Sequence, residues 1–287
     1  MWSETELEVI RRAYARQITF AAGVEDRAVD AAFAAVRREA FFGAGPWPLL
    51  YWDEYRRTPS ADPVYLYSDV LIGIIPERHL NNGQPSAHAM WIASAAPKQG
   101  EHVVHVGAGV GYYSAIMAHM VGPDGRVTAI EYDPALSARA AANLSEFPHV
   151  QVIQGDGASV SFDSADVIYM NAGVTRPAET WLDRLKDGGR LILPLTTDEN
   201  FKTPREETIS QGAMFLIRRT GADFDAKAVS PIGVIPCESM RDADCESALA
   251  EAFHNKGWRK VTKLYRTDTI PADRRWLRGR GWCLAYS

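Results

Sequence analysis

An α/β fold built on a doubly wound sheet is what this 287-residue sequence predicts, and three observations predict it. Short β-branched apolar runs alternate with helix-length stretches from Val103 onward. A glycine-rich turn joins the first of these runs to its helix. Polar residues collect where the runs end. Such alternation yields a parallel sheet covered by helices, and ligands of these sheets sit beyond the carboxyl ends of the strands.

The elements follow in chain order. Ser3 and Glu6 have the spacing of a capping box, opening a helix to about Phe20. A second helix is expected over residues 25–41. Residues 43–63 read as a loop carrying Trp47, Tyr51, Trp52 and Tyr55, aromatics that either pack or wall a substrate site. Val103, Val104 and Val106 form a buried strand. Gly107, Gly109 and Gly111 follow at once, and Tyr112 to Met120 reads as a helix. A strand, a glycine turn and a helix let backbone approach a bound cofactor with no Cβ between them.

Residues 126–130 are the second strand, closed by Glu131 twenty positions after Gly111. An acid there is placed to accept hydrogen bonds from a ribose diol, or it caps the helix expected over residues 133–143. Residues 150–154 are the third strand, ended by Gly155, Asp156 and Gly157. Asp156 either meets an adenine amine, with the glycines admitting the base, or forms a plain turn. Residues 166–170 are a fourth strand, ending at Asn171. Residues 185–190 read as a helix end and turn into a fifth strand over residues 191–194. Residues 200–211 read as an exposed hairpin insertion. Near the carboxyl end, residues 245–255 look helical and residues 261–265 and 282–286 look like strands. Trp258, Trp276 and Trp282 mark this piece as packed: a subdomain sealing the sheet edge, a lid, or a homodimer contact.

Two cofactor classes suit a glycine turn of this kind. A dinucleotide fingerprint wants Gly-x-Gly-x-x-Gly, but Tyr112 stands at its last position and the third glycine comes one residue early. That leaves NAD the lesser reading. Gly-x-Gly-x-Gly followed by Glu131 and Asp156 instead resembles the S-adenosylmethionine-dependent methyltransferases with a Rossmann-like sheet.

The segment from Ala32 to Glu39 followed by Phe41-Phe42, the run Tyr67-Ser68-Asp69, and the run from Gln84 to Met90 narrow the resemblance. Together with Met214–Gly221 and Val234–Pro236 they resemble the protein-L-isoaspartate O-methyltransferase family over roughly residues 30–237. The resemblance implies the methyltransferase fold, an S-adenosylmethionine site, and methyl transfer to a carboxylate oxygen. By position, Gly107, Gly109, Glu131, Asp156 and Gly157 would hold the cofactor, flanked by His105, Ala108, Gly111, Tyr112, Tyr132 and Asn171, with His88 close by. The family's serine segment just before Gln84-Pro85 is replaced by Asn81-Asn82-Gly83, so Gly83 stands where a hydroxyl is expected, and His105 replaces an acid. The implied organisation is N-terminal helices and a gating loop over residues 1–80, the cofactor domain over 81–237, and a small C-terminal α/β extension over 238–287.

A net charge of −5 argues against a nucleic-acid partner. No apolar run reaches membrane-spanning length, and the chain opens on no signal peptide. Cys237, Cys245 and Cys283 are few and scattered, which fits a reducing cytoplasm and gives no zinc pattern. A carboxylate acceptor is ionised at neutral pH and needs no general base, whereas a hydroxyl or amine does. The sequence shows no obvious His–acid pair. The expectation is therefore O-methylation of a small-molecule or peptide carboxylate other than isoaspartyl protein. Asn82, Gly83 and His88 are expected at the reacting centre, and Arg78, Asn81, Gln84 and Thr175 as donors to the acceptor. Isoaspartyl repair, a non-catalytic adaptor that binds S-adenosylmethionine, and an NAD-linked oxidoreductase are the alternatives.

Overall fold

The computed structural model describes residues 2–52, 54–197 and 212–287, so the hairpin expected over residues 200–211 lies outside the described residues. The chain divides into two compact units, Met1–Gly155 and Asp156–Ser287.

The first unit opens with helix α1 (Glu4–Ala21), whose Ser3 and Glu6 make both bonds of the capping box. Helix α2 (Arg27–Ala35) is shorter than the sequence predicts: Val36 turns to extended backbone, and a 3-10 turn over Arg38–Phe41 follows. Residues expected to form a loop instead make a hairpin, β1 (Pro48–Tyr51) and β2 (Glu54–Arg57). With β3 (Leu71–Ile75) and β4 (Leu80–Asn81) they form a four-stranded sheet in the order β2-β1-β3-β4. Helix α3 (Pro85–Ala95) starts on a proline, whose fixed φ and missing N–H suit a first turn.

The rest of this unit alternates strand and helix as expected: β5 (His102–Val106), α4 (Tyr112–Val121), β6 (Arg126–Glu131), α5 (Pro134–Asn143) and β7 (Val150–Gln154). These strands pair in parallel, Val106 opposite Ile130 and Glu131 opposite Gln154. That register sets the glycine turn, Glu131 and Gly155 at the same, carboxyl, end.

The second unit begins at Asp156. Strand β8 (Ala165–Met170) runs parallel to β9 (Leu185–Thr196), and helix α6 (Glu179–Arg184) lies between them in the chain. The expected helix end and turn at residues 185–190 is therefore strand. Ala165 pairs with Leu185 and Val167 with Arg190, so the residues between Leu185 and Arg190 bulge, and Gly188 takes a φ of +74° there. Strands β10 (Gly212–Thr220) and β11 (Asp223–Pro231) add on antiparallel. Val234–Pro236, which the resemblance implies is one of the family's last strands, is not a strand here; Pro236 forms an isolated bridge with Gly173, and β11 follows β10 in the sheet. Helix α7 (Ala243–His254), β12 (Lys263–Tyr265), β13 (Arg275–Gly279) and β14 (Trp282–Ala285) complete the unit. The three carboxyl-terminal tryptophans are buried.

Candidate active site

All five residues of β5 are buried, so the strand has one way to end usefully, in a turn at the surface of the sheet. Gly107, Gly109 and Gly111 have φ of +78°, +58° and +91°, a region that side chains resist. The turn's own N–H groups are largely committed. Those of Gly107 and Ala108 donate to Ile130 O, and that of Gly111 donates to Ala108 O. The Gly109 N–H donates to Glu131 Oε2 at 2.6 Å. A pyrophosphate cradle needs such groups pointing outward; this turn instead presents a carboxylate.

Glu131 is 8 % exposed, and its other oxygen accepts the Asp133 N–H at 3.0 Å. Burial raises its carboxyl above the usual range, and the bonds from Asp133 and Gly109 draw it part of the way back. Each carboxylate oxygen keeps a lone pair for a diol. A Cβ built on Gly109 would meet only the end of Ile74, at 3.8 Å, so the space over the middle of the turn is open. These features fit a ribose and leave no cradle for a dinucleotide.

Several predicted residues turn out to be employed differently. Arg78, expected to grip an acceptor, donates to Asp133 Oδ2 at 2.8 Å, beside Glu131. The Tyr112 side chain is fully buried and faces Phe33, Phe41 and Phe42 edge-on or tilted, away from a ligand role. His105 is buried with Nδ1 2.7 Å from Ser114 Oγ, and burial drives its pKa down to about 3. Tyr132 is half exposed, its carbonyl accepting from Gln154. Ala108 is buried, packing the turn onto the sheet.

Of the residues expected at the acceptor, Asn81, Asn82, Gly83, Gln84 and His88 lie on β4, the turn after it and α3. Asn81 Oδ1 accepts from Tyr55 Oη at 2.6 Å, so the unforeseen hairpin holds this amide. Asn82 is buried, its N–H donates to Ile72 O, and its side-chain Nδ2 has no hydrogen-bond partner among the described residues. Gly83, at φ +82°, has its carbonyl held by Tyr113 Oη at 3.1 Å. A Cβ there would come within 2.3 Å of His88 Nε2.

His88 itself stacks on Tyr113 with ring centres 3.6 Å apart, and burial, reinforced by His105 and Arg38, pushes its pKa well below the ordinary histidine value. Gln84 Nε2 donates to Asp69 Oδ2, which also receives Ser86 Oγ at 2.6 Å. Asp69, Ser86 and Tyr113 were not singled out from sequence, whereas Tyr55 was named there among the aromatics of residues 43–63. Asp69 stood in the quoted Tyr67-Ser68-Asp69 run, but its partners lie fifteen and more residues away.

In the second unit, Asp156 Oδ1 accepts the Ala158 N–H at 3.0 Å, and the Gly157 carbonyl accepts Trp181 Nε1 at 2.7 Å. Asn171 is partly buried just past β8. Thr175 is fully buried, and its hydroxyl is taken up by Met240 O and the Asp242 N–H. Its hydroxyl ties that point of the chain to the segment around Met240 and Asp242. Among the described residues no group of His, Cys, Asp and Glu could hold a metal ion. No described helix is long and apolar enough to cross a membrane.

A sequence model described as Protein-L-isoaspartate(D-aspartate) O-methyltransferase matches residues 18–219. The chain belongs to this family. A protein-L-isoaspartate O-methyltransferase 1 of Rhodopseudomonas palustris is 31 % identical over 261 residues, 90 % of this chain and 88 % of its own. A protein-L-isoaspartate O-methyltransferase of Thermotoga maritima is 30 % identical over 191 residues, 64 % of this chain but only 54 % of its own. A protein-L-isoaspartate O-methyltransferase 2 of Archaeoglobus fulgidus is 37 % identical over 102 residues, matched over 47 % of its own length.

The fold agrees. A solved protein-L-isoaspartate O-methyltransferase superposes with a TM-score of 0.64 at 23 % identity, covering 85 % of this chain and 69 % of that one. A Plasmodium falciparum structure carrying S-adenosyl-L-homocysteine gives 0.60 at 16 %, covering 79 % and 97 %. The Rossmann-like methyltransferase fold expected from the sequence is thus the fold of this family member.

Proposed function

We propose that this isoaspartate methyltransferase-family chain is an S-adenosylmethionine-dependent carboxyl O-methyltransferase acting on isoaspartyl residues of peptides. The observation that carries the cofactor is the open glycine turn at the end of β5, whose central N–H is bonded to the Glu131 carboxylate. Family membership carries the acceptor. Glu131 would take the ribose hydroxyls. Asp156, which follows the end of β7 by two residues, would take the adenine amine, with Gly157 beside it. S-adenosylmethionine, when bound, supplies a sulfonium methyl to the attacking oxygen and leaves as a neutral thioether.

The chain's contribution is to orient and to exclude water. An ionised carboxylate needs no base, and the histidines agree: His88 and His105 are buried and hard to protonate, so neither carries charge near pH 7. A cation and an anion are consumed together, and low-dielectric surroundings favour that loss of charge. Asn82 Nδ2 is the donor available to hold an acceptor oxygen. Asn81 and Gln84, fixed by Tyr55 and Asp69, wall the same segment.

One observation favours a second reading, a carboxylate acceptor other than isoaspartyl protein. The place where a hydroxyl is expected, at Gly83, is filled by His88. Against it, Ser86 retains a hydroxyl in the first turn of α3. The test is transfer of labelled methyl to an isoaspartyl peptide, its normal aspartyl counterpart and small dicarboxylic acids. Transfer to the isoaspartyl peptide alone supports the main reading; transfer to small acids alone supports the second. Tight binding of S-adenosylhomocysteine with no transfer to any acceptor refutes both.

A further inference from the structure

We propose that Ser239 is a positioning residue for the carboxylate of Asp156, so that the C-terminal extension takes part in recognising the purine. The inference rests on the cofactor reading above. Ser239 lies beyond residue 219, where the family match ends, yet its Oγ donates to Asp156 Oδ1 at 2.7 Å across 83 positions of chain.

The same Oδ1 accepts the Ala158 N–H at 3.0 Å. Two donors on one oxygen fix the rotation of the carboxylate and leave Oδ2 to an incoming donor. An isolated bond between exposed groups would hold little, because both side chains wander. Here both ends sit on pinned backbone. On the Asp156 side, Trp181 Nε1 donates to Gly157 O at 2.7 Å, and Thr180 Oγ1 donates to Ala158 O at 2.9 Å.

On the Ser239 side, the chain is stapled on either flank. The Gly173 N–H donates to Ile235 O at 2.7 Å, and the Cys237 N–H donates to Gly173 O at 2.8 Å. Beyond Ser239, the Thr175 N–H donates to Met240 O at 3.1 Å, and Thr175 Oγ1 accepts the Asp242 N–H at 3.1 Å. Arg241 adds a bond to Thr196 Oγ1 at 3.1 Å. Ser239 is thus an exposed hydroxyl held between two anchored flanks, and it donates to Asp156. This also accounts for the employment of Thr175, which a substrate role did not.

The chemistry follows from the acceptor. A carboxylate oxygen receives the exocyclic amine of adenine but opposes the 6-oxo group of hypoxanthine, which offers no hydrogen there. Holding Oδ2 at the right rotation therefore governs both affinity and the choice between the two bases.

The experiment measures binding of S-adenosylhomocysteine and of S-inosylhomocysteine to the full chain by calorimetry. Ser239→Ala is expected to weaken S-adenosylhomocysteine by about 5- to 10-fold, the worth of one ordinary hydrogen bond, since the bond it removes lies between exposed groups. It is expected to narrow the preference over the inosine analogue by a similar factor. Ser239→Thr, which keeps the hydroxyl, restores both. In an Asp156→Ala background Ser239→Ala has no further effect. A role confined to holding the extension would lower the melting temperature and leave the adenine-to-inosine ratio unchanged, and that result overturns the proposal. Failure of the unaltered chain to bind S-adenosylhomocysteine overturns the cofactor reading itself.

Discussion

Replacing Gly83 by serine, the residue type that the family resemblance places there, is expected to damage this protein. Two costs add. At φ +82° any side chain is strained, at about 1–2 kcal/mol. The new Cβ would also lie 2.3 Å from His88 Nε2. His88 is 1 % exposed, stacked flat on Tyr113 and edge-on to Trp91, so it has no direction in which to yield. Overpacking of that kind costs about 1–3 kcal/mol. The sum, roughly 2–5 kcal/mol, corresponds to a melting temperature lower by about 3–8 °C in a chain of this size.

The assay is a four-cornered cycle in urea and heat: the unaltered chain, Gly83→Ser, His88→Ala and the pair. The two changes should be non-additive by about 1–3 kcal/mol, since removing the ring removes the overlap but not the backbone strain. A Gly83→Ser protein within about 0.5 kcal/mol of the unaltered chain, or a cycle that adds, refutes the reasoning. So does a gain in methyl transfer from Gly83→Ser with the fold intact.

Further outcomes are expected. Glu131→Ala should weaken S-adenosylhomocysteine binding by about 10- to 100-fold in calorimetry, because it removes a charged acceptor and also frees the Gly109 N–H. Glu131→Gln should lose less, and equal affinity in all three proteins would move the ribose elsewhere. Arg78→Ala should leave the KM for the acceptor unchanged and lower stability by no more than about 1 kcal/mol, since the pair with Asp133 is half exposed; a large rise in KM would reinstate its acceptor role. His105, held neutral with a pKa of about 3 against an unfolded value near 6.5, contributes stability that is intact above pH 6.5 and lost as pH falls toward 3. Its share at pH 5 is a loss of about 2 kcal/mol, so His105→Asn should flatten the pH dependence of unfolding between pH 5 and 8. An unaltered slope would refute that assignment.

Much of the cofactor side was legible because its signals are local. Val103–Gly111 specifies a strand and turn by β-branching and by glycine at positive φ, and Glu131 follows at the end of the next strand. The capping box at Ser3 was equally local. What escaped the sequence depends on partners far along the chain. The β1–β2 hairpin has only four residues a side and gains its reason from pairing with β3. The partner of Arg78, Asp133, lies 55 positions on, and nothing local to Arg78 signals it. The bulge in β9 reads locally as a turn because Gly188 is a turn residue, and only β8 opposite it makes it strand.

The glycine turn matters beyond its proposed cofactor role. Tyr112 and Tyr113 are consecutive at the start of α4, and they serve opposite neighbours: Tyr112 the aromatic group of Phe33, Phe41 and Phe42, Tyr113 the His88 ring and the Gly83 carbonyl. Each residue added to or taken from the turn rotates the helix by about 100°, exchanging which ring faces which neighbour. The turn's length is therefore set by helix phase as much as by ligand shape. Loss or gain of a single residue between Val106 and Tyr112 would miscast both tyrosines at once, even where the cofactor tolerated the change.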